Sequence, residues 1–321
     1  MSIKEAKIIK VEVQQIKKHI SKGVAGSVVG IITSICTTPF DVVKTRMQAE
    51  KSEEVKLKKK MGTFEKMKEI YKEEGLGALW KGTTSTILGM STNWAFYFAF
   101  YDRIKFSLSN FLGGYLNNTT VNFLASMASG TISLLAGNPF WVAKNRIQYQ
   151  SKLIEETPKY TNTIQTLCKI YQEEGPHGLY KGFSASIFGL IHIGIQFPLY
   201  EKFKQELIKL KTRKLISKGE KFANLKNKIV LSSFEIFLAS VASKIIASTI
   251  AYPHEVLRTK LQIDRRRKES YEGIWPTMKR IYNENGFKGF YYGLGVNLLK
   301  NIPSNGISFT VYELLNRYLI K

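Results

Sequence analysis

Three times in this 321-residue chain a proline is followed two residues later by an acid or an aromatic, and five residues later by a base. The sets are Pro39, Asp41 and Lys44; Pro139, Trp141 and Lys144; and Pro253, Glu255 and Arg258. An acid and a base three residues apart share one helical face. Three such helices standing around a barrel can therefore exchange partners, an acid on one with a base on the next, and close a ring. That is the chemistry of a reversible electrostatic latch, with no covalent step. At Trp141 the acid is missing, which leaves Arg258 without a carboxylate. The face of an indole can hold a guanidinium instead, by a cation–π attraction of about 0.5–2 kcal/mol.

Two further bases interrupt otherwise uncharged stretches. A second repeated phrase, "EIYKEEGLGALWKG", "KIYQEEGPHGLYKG" and "RIYNENGFKGFYYG", ends at Gly82, Gly182 and Gly293. Seven residues on lie Gly89, Gly189 and Lys300, and four beyond those, on the same helical face, Asn93, Ile193 and Ser304. Lys244 stands where the other copies have Gly30 and Gly130. An ammonium in a bilayer span costs roughly 3 kcal/mol or more unless paired or wet, so Lys300 and Lys244 are candidate contacts for the phosphates of an anionic solute. Asn93 with Trp94, and Gly189 with Leu190, offer a base an aromatic to stack on or a small residue to rest against. The plainer readings are a packing aromatic at Trp94, a hydrogen-bonded packing residue at His192, and an ion pair with Glu235 for Lys244. Glu235 is too far along one helix to reach Lys244, so that reading needs another partner.

Holding these residues in place requires long, uncharged helices. Lys and Arg number 48 against 25 acids, a net charge of +23, which calls for an anionic partner: nucleic acid, lipid headgroup or solute. Residues 23–40, 82–101, 106–143 and 182–200 contain no charged side chain, and each is near the roughly 20 residues that cross a bilayer. A basic nucleic-acid module has no reason to carry them. Gly, Ser, Thr and Asn recur inside them, as expected where helices pack closely or line water. The mean hydropathy of −0.13 keeps a soluble basic helical protein as the competing class. Each repeat reads as an uncharged span with an internal proline, a charged tail, a short amphipathic helix stopped by a left-handed cap at Gly75, Gly175 or Gly286, and a second span. Pro39, Pro139 and Pro253 should kink their helices rather than end them. Cys36 and Cys168 are too few for a disulfide framework and read as reduced packing residues. Residues 1–20 lack a secretory signal's apolar core and read as an amphipathic surface helix. No phosphate-cradling loop, metal-ligand spacing or nucleophile–base set occurs in the sequence, so neither catalysis nor a metal site is expected.

Three copies of Pro-x-acid-x-x-base, each followed by Glu-Gly or its variant and an aromatic-base-Gly phrase, resemble the mitochondrial carrier family over nearly the whole chain from about residue 20. The resemblance implies an all-α membrane protein of six transmembrane helices in three tandem repeats with pseudo-three-fold symmetry, plus three short amphipathic matrix helices. The expected divisions are an N-terminal segment 1–20, repeats at 21–110, 111–210 and 229–321, and a basic linker at 211–228. It implies the inner mitochondrial membrane, with both termini toward the intermembrane space, since the Lys/Arg tally alone does not orient the chain. Trp141, "YPHEVLRTKLQ" and "SVASKIIAS" resemble the subgroup carrying NAD, FAD, folate and pyrimidine nucleotides. These would be transported solutes and not cofactors. Inner-membrane lipid, with cardiolipin as a bound lipid, is an implied partner; nucleic acid is not.

The family pairing implies a matrix gate of Asp41 with Lys144 and Glu255 with Lys44, braced by Gln48, Gln148 and Gln262. At the other end "YDRIK", "YEKFK" and "YELLN" imply a cytoplasmic gate of Asp102 with Lys204 and Glu313 with Lys105, where Asn316 leaves Glu201 without a base. Ion pairs in a wet vestibule would be worth about 0–1 kcal/mol each, which suits a switch. The function implied is exchange of a nucleotide or nucleotide-like cofactor by alternating access. The alternative is a carrier-fold structural subunit or docking partner of a larger inner-membrane protein complex, supported by the gate departures at Trp141 and Asn316.

Overall fold

The computed structural model describes residues 28–49, 61–112, 115–150, 159–217, 231–264 and 273–319. All regular structure among them is helical. In chain order the α-helices are α1 (Val28–Ala49), α2 (Thr63–Glu74), α3 (Thr83–Leu112), α4 (Asn118–Tyr149), α5 (Thr163–Leu179), α6 (Phe183–Ile216), α7 (Ser233–Ile263), α8 (Ile274–Asn285) and α9 (Leu294–Leu319). A long helix, a short helix and a long helix thus recur three times. By length and composition α1, α4, α6 and α7 are apolar enough to cross a membrane. The N-terminal segment expected at 1–20 lies outside the described residues. The expected basic linker begins inside a helix, because α6 continues to Ile216 and Lys211 near its end pairs with Glu235 at 2.7 Å.

The long helices run unbroken through Pro39, Pro139 and Pro253. Proline lacks the N–H that would bond the carbonyl four residues back. At Pro39 that carbonyl belongs to Ile35, and the Trp80 indole donates to it at 2.9 Å. Large apolar side chains such as Phe98, Phe123, Phe197 and Leu238 are exposed, while Ser129, Ser133, Ser243 and Ala247 are buried. Small and polar groups inside with apolar groups outside is the arrangement that lipid favours.

α2 and α8 stop, and α5 kinks, where a glycine takes a positive φ, but not in the expected left-handed cap. Gly75, Gly175 and Gly286 have φ of 84°, 69° and 61° with ψ of 175°, −168° and −159°. That region is essentially glycine-only. One isoleucine of each short helix, Ile70, Ile170 and Ile281, is buried in its own cluster. They meet Val42 and Val43 of α1, Val142 and Ile147 of α4, and Val256, Leu257 and Leu261 of α7, respectively. The Cys36 and Cys168 thiols are free and exposed, which corrects their reading as packing residues.

Two buried charge triads fasten the short helices. Glu74 accepts from Arg46 Nη2 at 3.0 Å and Lys81 at 2.7 Å, and Glu174 from Arg146 Nη2 at 2.9 Å and Lys181 at 2.6 Å. In the third repeat the same places hold Lys260, Asn285 and Tyr292, and the triad becomes a neutral hydrogen bond from the Tyr292 hydroxyl to Asn285 at 3.1 Å. Burial opposes charge on Glu174, yet Arg146 and Lys181 outweigh it and hold the carboxyl below its ordinary value of 4.5.

Because that folded value is depressed, the stabilisation from Glu174 is fully present above about pH 4.5 and is lost as pH falls through the folded value. Glu174→Gln should lower stability near neutrality by about 3–5 kcal/mol, the usual cost of breaking a buried pair, and flatten the acid limb of thermal unfolding in detergent. Gly182 has φ of 70°, and a Cβ there would lie 3.0 Å from the Arg258 carbonyl oxygen. Gly182→Ala should therefore cost on the order of 1–3 kcal/mol in the same assay, whereas an unchanged melting temperature would remove the strain argument.

Candidate functional site

The three proline motifs converge. Asp41 on α1 accepts from Lys144 on α4 at 2.9 Å and from Lys300 on α9 at 2.5 Å. Lys44 on α1 pairs with Glu255 on α7 and donates to Asn297 on α9 at 3.2 Å. Arg258 has no carboxylate partner among the described residues and stands over the Trp141 ring, 5.4 Å from its centroid, with Lys144 at 5.2 Å from the same ring. Two guanidinium nitrogens of Arg258, Nε and Nη2, are buried without an acceptor among the described residues. The indole face is thus the group that meets this cation.

Each ion pair here has at least one buried member, although Glu255 and Lys300 are themselves only half-buried. Asp41, Lys44 and Lys144 are 5%, 9% and 8% exposed, so the small energy expected of pairs in a wet vestibule does not apply. Removing one partner from a buried pair costs about 3–5 kcal/mol, because the other charge is stranded.

Beyond the pairs lies a ring of glutamines. Thr45 donates to Gln148 at 2.9 Å, Asn145 to Gln262 at 2.5 Å, and Gln48 to the Tyr252 hydroxyl at 2.9 Å. Each bond joins the proline motifs of two repeats. The glutamines pack on the glycines that end the second phrase. A Cβ on Gly82, Gly182 or Gly293 would stand 3.0, 2.9 or 3.3 Å from Cγ of Gln148, Gln262 or Gln48. Repeat one touches two, two touches three, and three touches one, so the contact is cyclic.

The column of Gly89, Gly189 and Lys300 also faces the next motif. The Cβ direction of Gly89 points at Trp141 (3.4 Å), and that of Gly189 at His254 (3.0 Å), while Lys300 reaches Asp41. Where the neighbouring helix offers a bulky ring the column is glycine, and where it offers a small acid the column is lysine. Asn93 is turned into the α3–α4 contact. With its amide oriented to satisfy both ends, it donates to the Ser133 carbonyl at 3.0 Å and accepts from Trp141 Nε1 at 3.2 Å. Trp94 is 57% exposed and stacks on Phe98 of its own helix at 5.5 Å. Leu190 lies against Gly130, and Ser304 is half-buried. Lys244 donates to Asn305 at 3.1 Å, whereas Glu235 caps α7 with Ser232 and binds Lys211, so Glu235 is not the partner of Lys244.

At the opposite end the expected pair of Asp102 with Lys204 is not formed. Asp102 is exposed, Lys105 is half-buried, and Lys204 lies 3.5 Å from Glu201 of its own helix. Glu201, expected to lack a base, finds one because residues three apart on a helix are always within reach. The side chains of Glu313 and Asn316 lie outside the described residues.

Sequence reasoning overlooked Asn297, Asn301, Asn305 and His254, and the triads of Arg46 and Arg146. A signal for the asparagines was present: "NLLKNIPSN" places them four residues apart on one face of α9.

With this geometry in view, comparisons with known proteins are informative. The sequence profile of the family described as mitochondrial carrier protein matches residues 16–111, 116–211 and 230–321. The chain is 35% identical to nicotinamide adenine dinucleotide transporter 1, chloroplastic, of Arabidopsis thaliana, over 95% of this chain and 93% of that one. It is 33% identical to mitochondrial nicotinamide adenine dinucleotide transporter 1 of Saccharomyces cerevisiae, over 90% of this chain and 74% of that one. It is 31% identical to folate transporter 1, chloroplastic, of Arabidopsis thaliana, over 90% and 92%.

Trp141→Phe keeps an aromatic face beneath Arg258 and Trp141→Leu does not, while both lose the indole N–H. The leucine variant should be less stable than the phenylalanine variant by about 0.5–2 kcal/mol in detergent. Equal melting temperatures would show that the ring face does not hold the guanidinium.

Proposed function

This chain belongs to the mitochondrial carrier family, and from that premise we propose that it exchanges a nucleotide or nucleotide-like cofactor across a membrane by alternating access. Relatives named as NAD and folate transporters support this class, to which the subgroup resemblance adds FAD and pyrimidine nucleotides. The observation that carries the reading is the closed ring of Asp41 with Lys144 and Lys300, Lys44 with Glu255, and Arg258 on Trp141. Three helices from three repeats are latched at one end by contacts that a solute's anions can compete for.

In this reading six helices span the membrane in three pseudo-symmetric repeats bounded near 21–110, 111–210 and 229–321. The short helices α2, α5 and α8 lie on the matrix side with the proline-motif gate. The second gate, toward the intermembrane space, is built from Asp102, Lys105, Glu201, Lys204, Glu313 and Asn316, and both termini lie on that side. The inner mitochondrial membrane is the proposed location, with cardiolipin as a bound lipid. Lys300, Lys244 and the column of Gly89 and Gly189 surround the solute. Two such gates that cannot both open give alternating access, and a solute need only bind the two states differently to drive the turn. The rival reading, a non-transporting subunit, took support from the missing acid at Trp141. That support weakens once Arg258 has an indole to rest on.

Purified protein in liposomes preloaded with NAD should take up labelled NAD or a labelled nucleotide, and empty liposomes should not. A folded preparation that exchanges none of NAD, FAD, folate or pyrimidine nucleotides would remove the proposal.

A further inference from the structure

Lys300 and Lys244 differ in one respect that bears on the solute. Lys300 already has a counter-ion, since its ammonium lies 2.5 Å from Asp41. Lys44, Lys144 and Lys181 likewise each reach a carboxylate. Lys244 reaches none among the described residues; it touches only the Asn305 amide oxygen, at 3.1 Å. It is also close enough to Lys300 for the two charges to repel.

The surroundings of Lys244 have changed with it. In the first two repeats its place is glycine, and the facing side chain of the following long helix is apolar: Met90 at 3.9 Å from the Cβ position of Gly30, and Leu190 at 3.3 Å from that of Gly130. The residue of α9 in that facing column is Asn301, 7% exposed, whose amide nitrogen has no acceptor among the described residues. One turn along the same face, the Asn305 amide nitrogen is also buried without an acceptor among the described residues, while its oxygen accepts from Lys244. An apolar helix contact has become a set of donors: an ammonium and two amide NH2 groups. Buried donors without acceptors are costly, the more so when charged, and an oxyanion is the ligand that satisfies such donors.

We infer that Lys244, Asn301 and Asn305 form a phosphate subsite between α7 and α9, and that it takes the phosphate or diphosphate of the solute while Lys300 remains bound to Asp41. This rests on the reading of the protein as a nucleotide carrier for its role in transport, but the donor set itself predicts oxyanion binding independently of that reading.

The test is thermal unfolding of the full chain in detergent, with inorganic pyrophosphate, NAD and adenosine as probes. Lys244→Gly restores the residue of the other two repeats, and Lys244→Arg keeps the charge. Pyrophosphate should raise the melting temperature of the wild type and of Lys244→Arg but not of Lys244→Gly, and adenosine should raise none. In liposomes Lys244→Gly should raise KM for NAD on the order of tenfold or more, the loss of one charge-assisted hydrogen bond, with a smaller change in kcat. Pyrophosphate shifting the wild type and Lys244→Gly equally, or shifting neither, would overturn the subsite. Unchanged KM in Lys244→Gly would overturn it while leaving the carrier reading intact. A Lys244-dependent pyrophosphate shift without exchange of any nucleotide would sustain the subsite and remove the carrier reading. Should Lys244→Gly prove unfolded without ligand, Asn305→Leu takes its place, with the same loss of the pyrophosphate shift expected.

Discussion

A carboxylate that is 5% exposed must be neutralised where it stands, and Asp41 meets this need with two ammoniums drawn from different helices, Lys144 of α4 and Lys300 of α9. With Lys44 held by Glu255 of α7, α1 is tied to three long helices by charge alone. None of these helices can move away at this end without stranding a buried ion. The rest of the molecule follows from that requirement. Prolines let the long helices turn their charged faces inward without ending, glycines of positive φ let the short helices tuck beneath, and the cyclic packing of glycine on glutamine fixes the distance at which the ions meet.

The ring is nevertheless unequal. Arg46 reaches from the first repeat to the carbonyls of Gln148 and Gln150 at the end of α4, and Arg146 from the second to those of Gln262 and Asp264 at the end of α7. Terminal helix carbonyls lack partners of their own, and a planar guanidinium can satisfy two at once. The third repeat has Lys260 at this place, with no such contact among the described residues, and Gln48 keeps a buried oxygen without a donor there. The third repeat is also the one whose own charge triad has become a Tyr–Asn hydrogen bond. Among the described residues the interface that returns from the third repeat to the first therefore lacks the guanidinium clamp and is held instead by the ion pairs of Lys44 with Glu255 and Lys300 with Asp41.

Much of this was legible in the sequence because triplication turns weak patterns into strong ones. A single acid three residues from a base is an ordinary helix surface; three copies after a proline demand a shared geometry. The same logic located the odd lysines and paired Trp141 with Arg258. What could not be read was the direction in which a side chain leaves its helix. Asn93 and Trp94 are neighbours in sequence, yet one is turned into the α3–α4 contact and the other outward, a difference of about 100° that repeat alignment alone does not resolve. Burial was equally hidden, because whether Asp41 sits in water or in a dry seam depends on three helices at once. The left-handed caps were misread for a related reason: a glycine reports that φ can be positive, and ψ is then set by where the next segment must pack.

Among the described residues the two ends of the long helices also differ in strength. At the proline-motif end the charges are buried and paired across helices, whereas at the far end Asp102 is exposed and Lys204 turns to Glu201 on its own helix at 3.5 Å. An exposed pair three residues apart contributes a few tenths of a kcal/mol, about a tenth of what stranding a buried ion costs. The strong contacts among the described residues therefore lie at the proline-motif ring. To shift a population from 1:99 to 99:1 a ligand must prefer the other state by about 5.5 kcal/mol, and a neutral solute has no contact here from which to draw it. An anion does. By the inference drawn above it would bind Lys244, Asn301 and Asn305 while Lys300 keeps Asp41, offsetting the repulsion between Lys244 and Lys300. On the proposed function, charge on the solute would then couple binding to opening, and Lys244, close enough to Lys300 to repel it, is where that coupling would enter the ring.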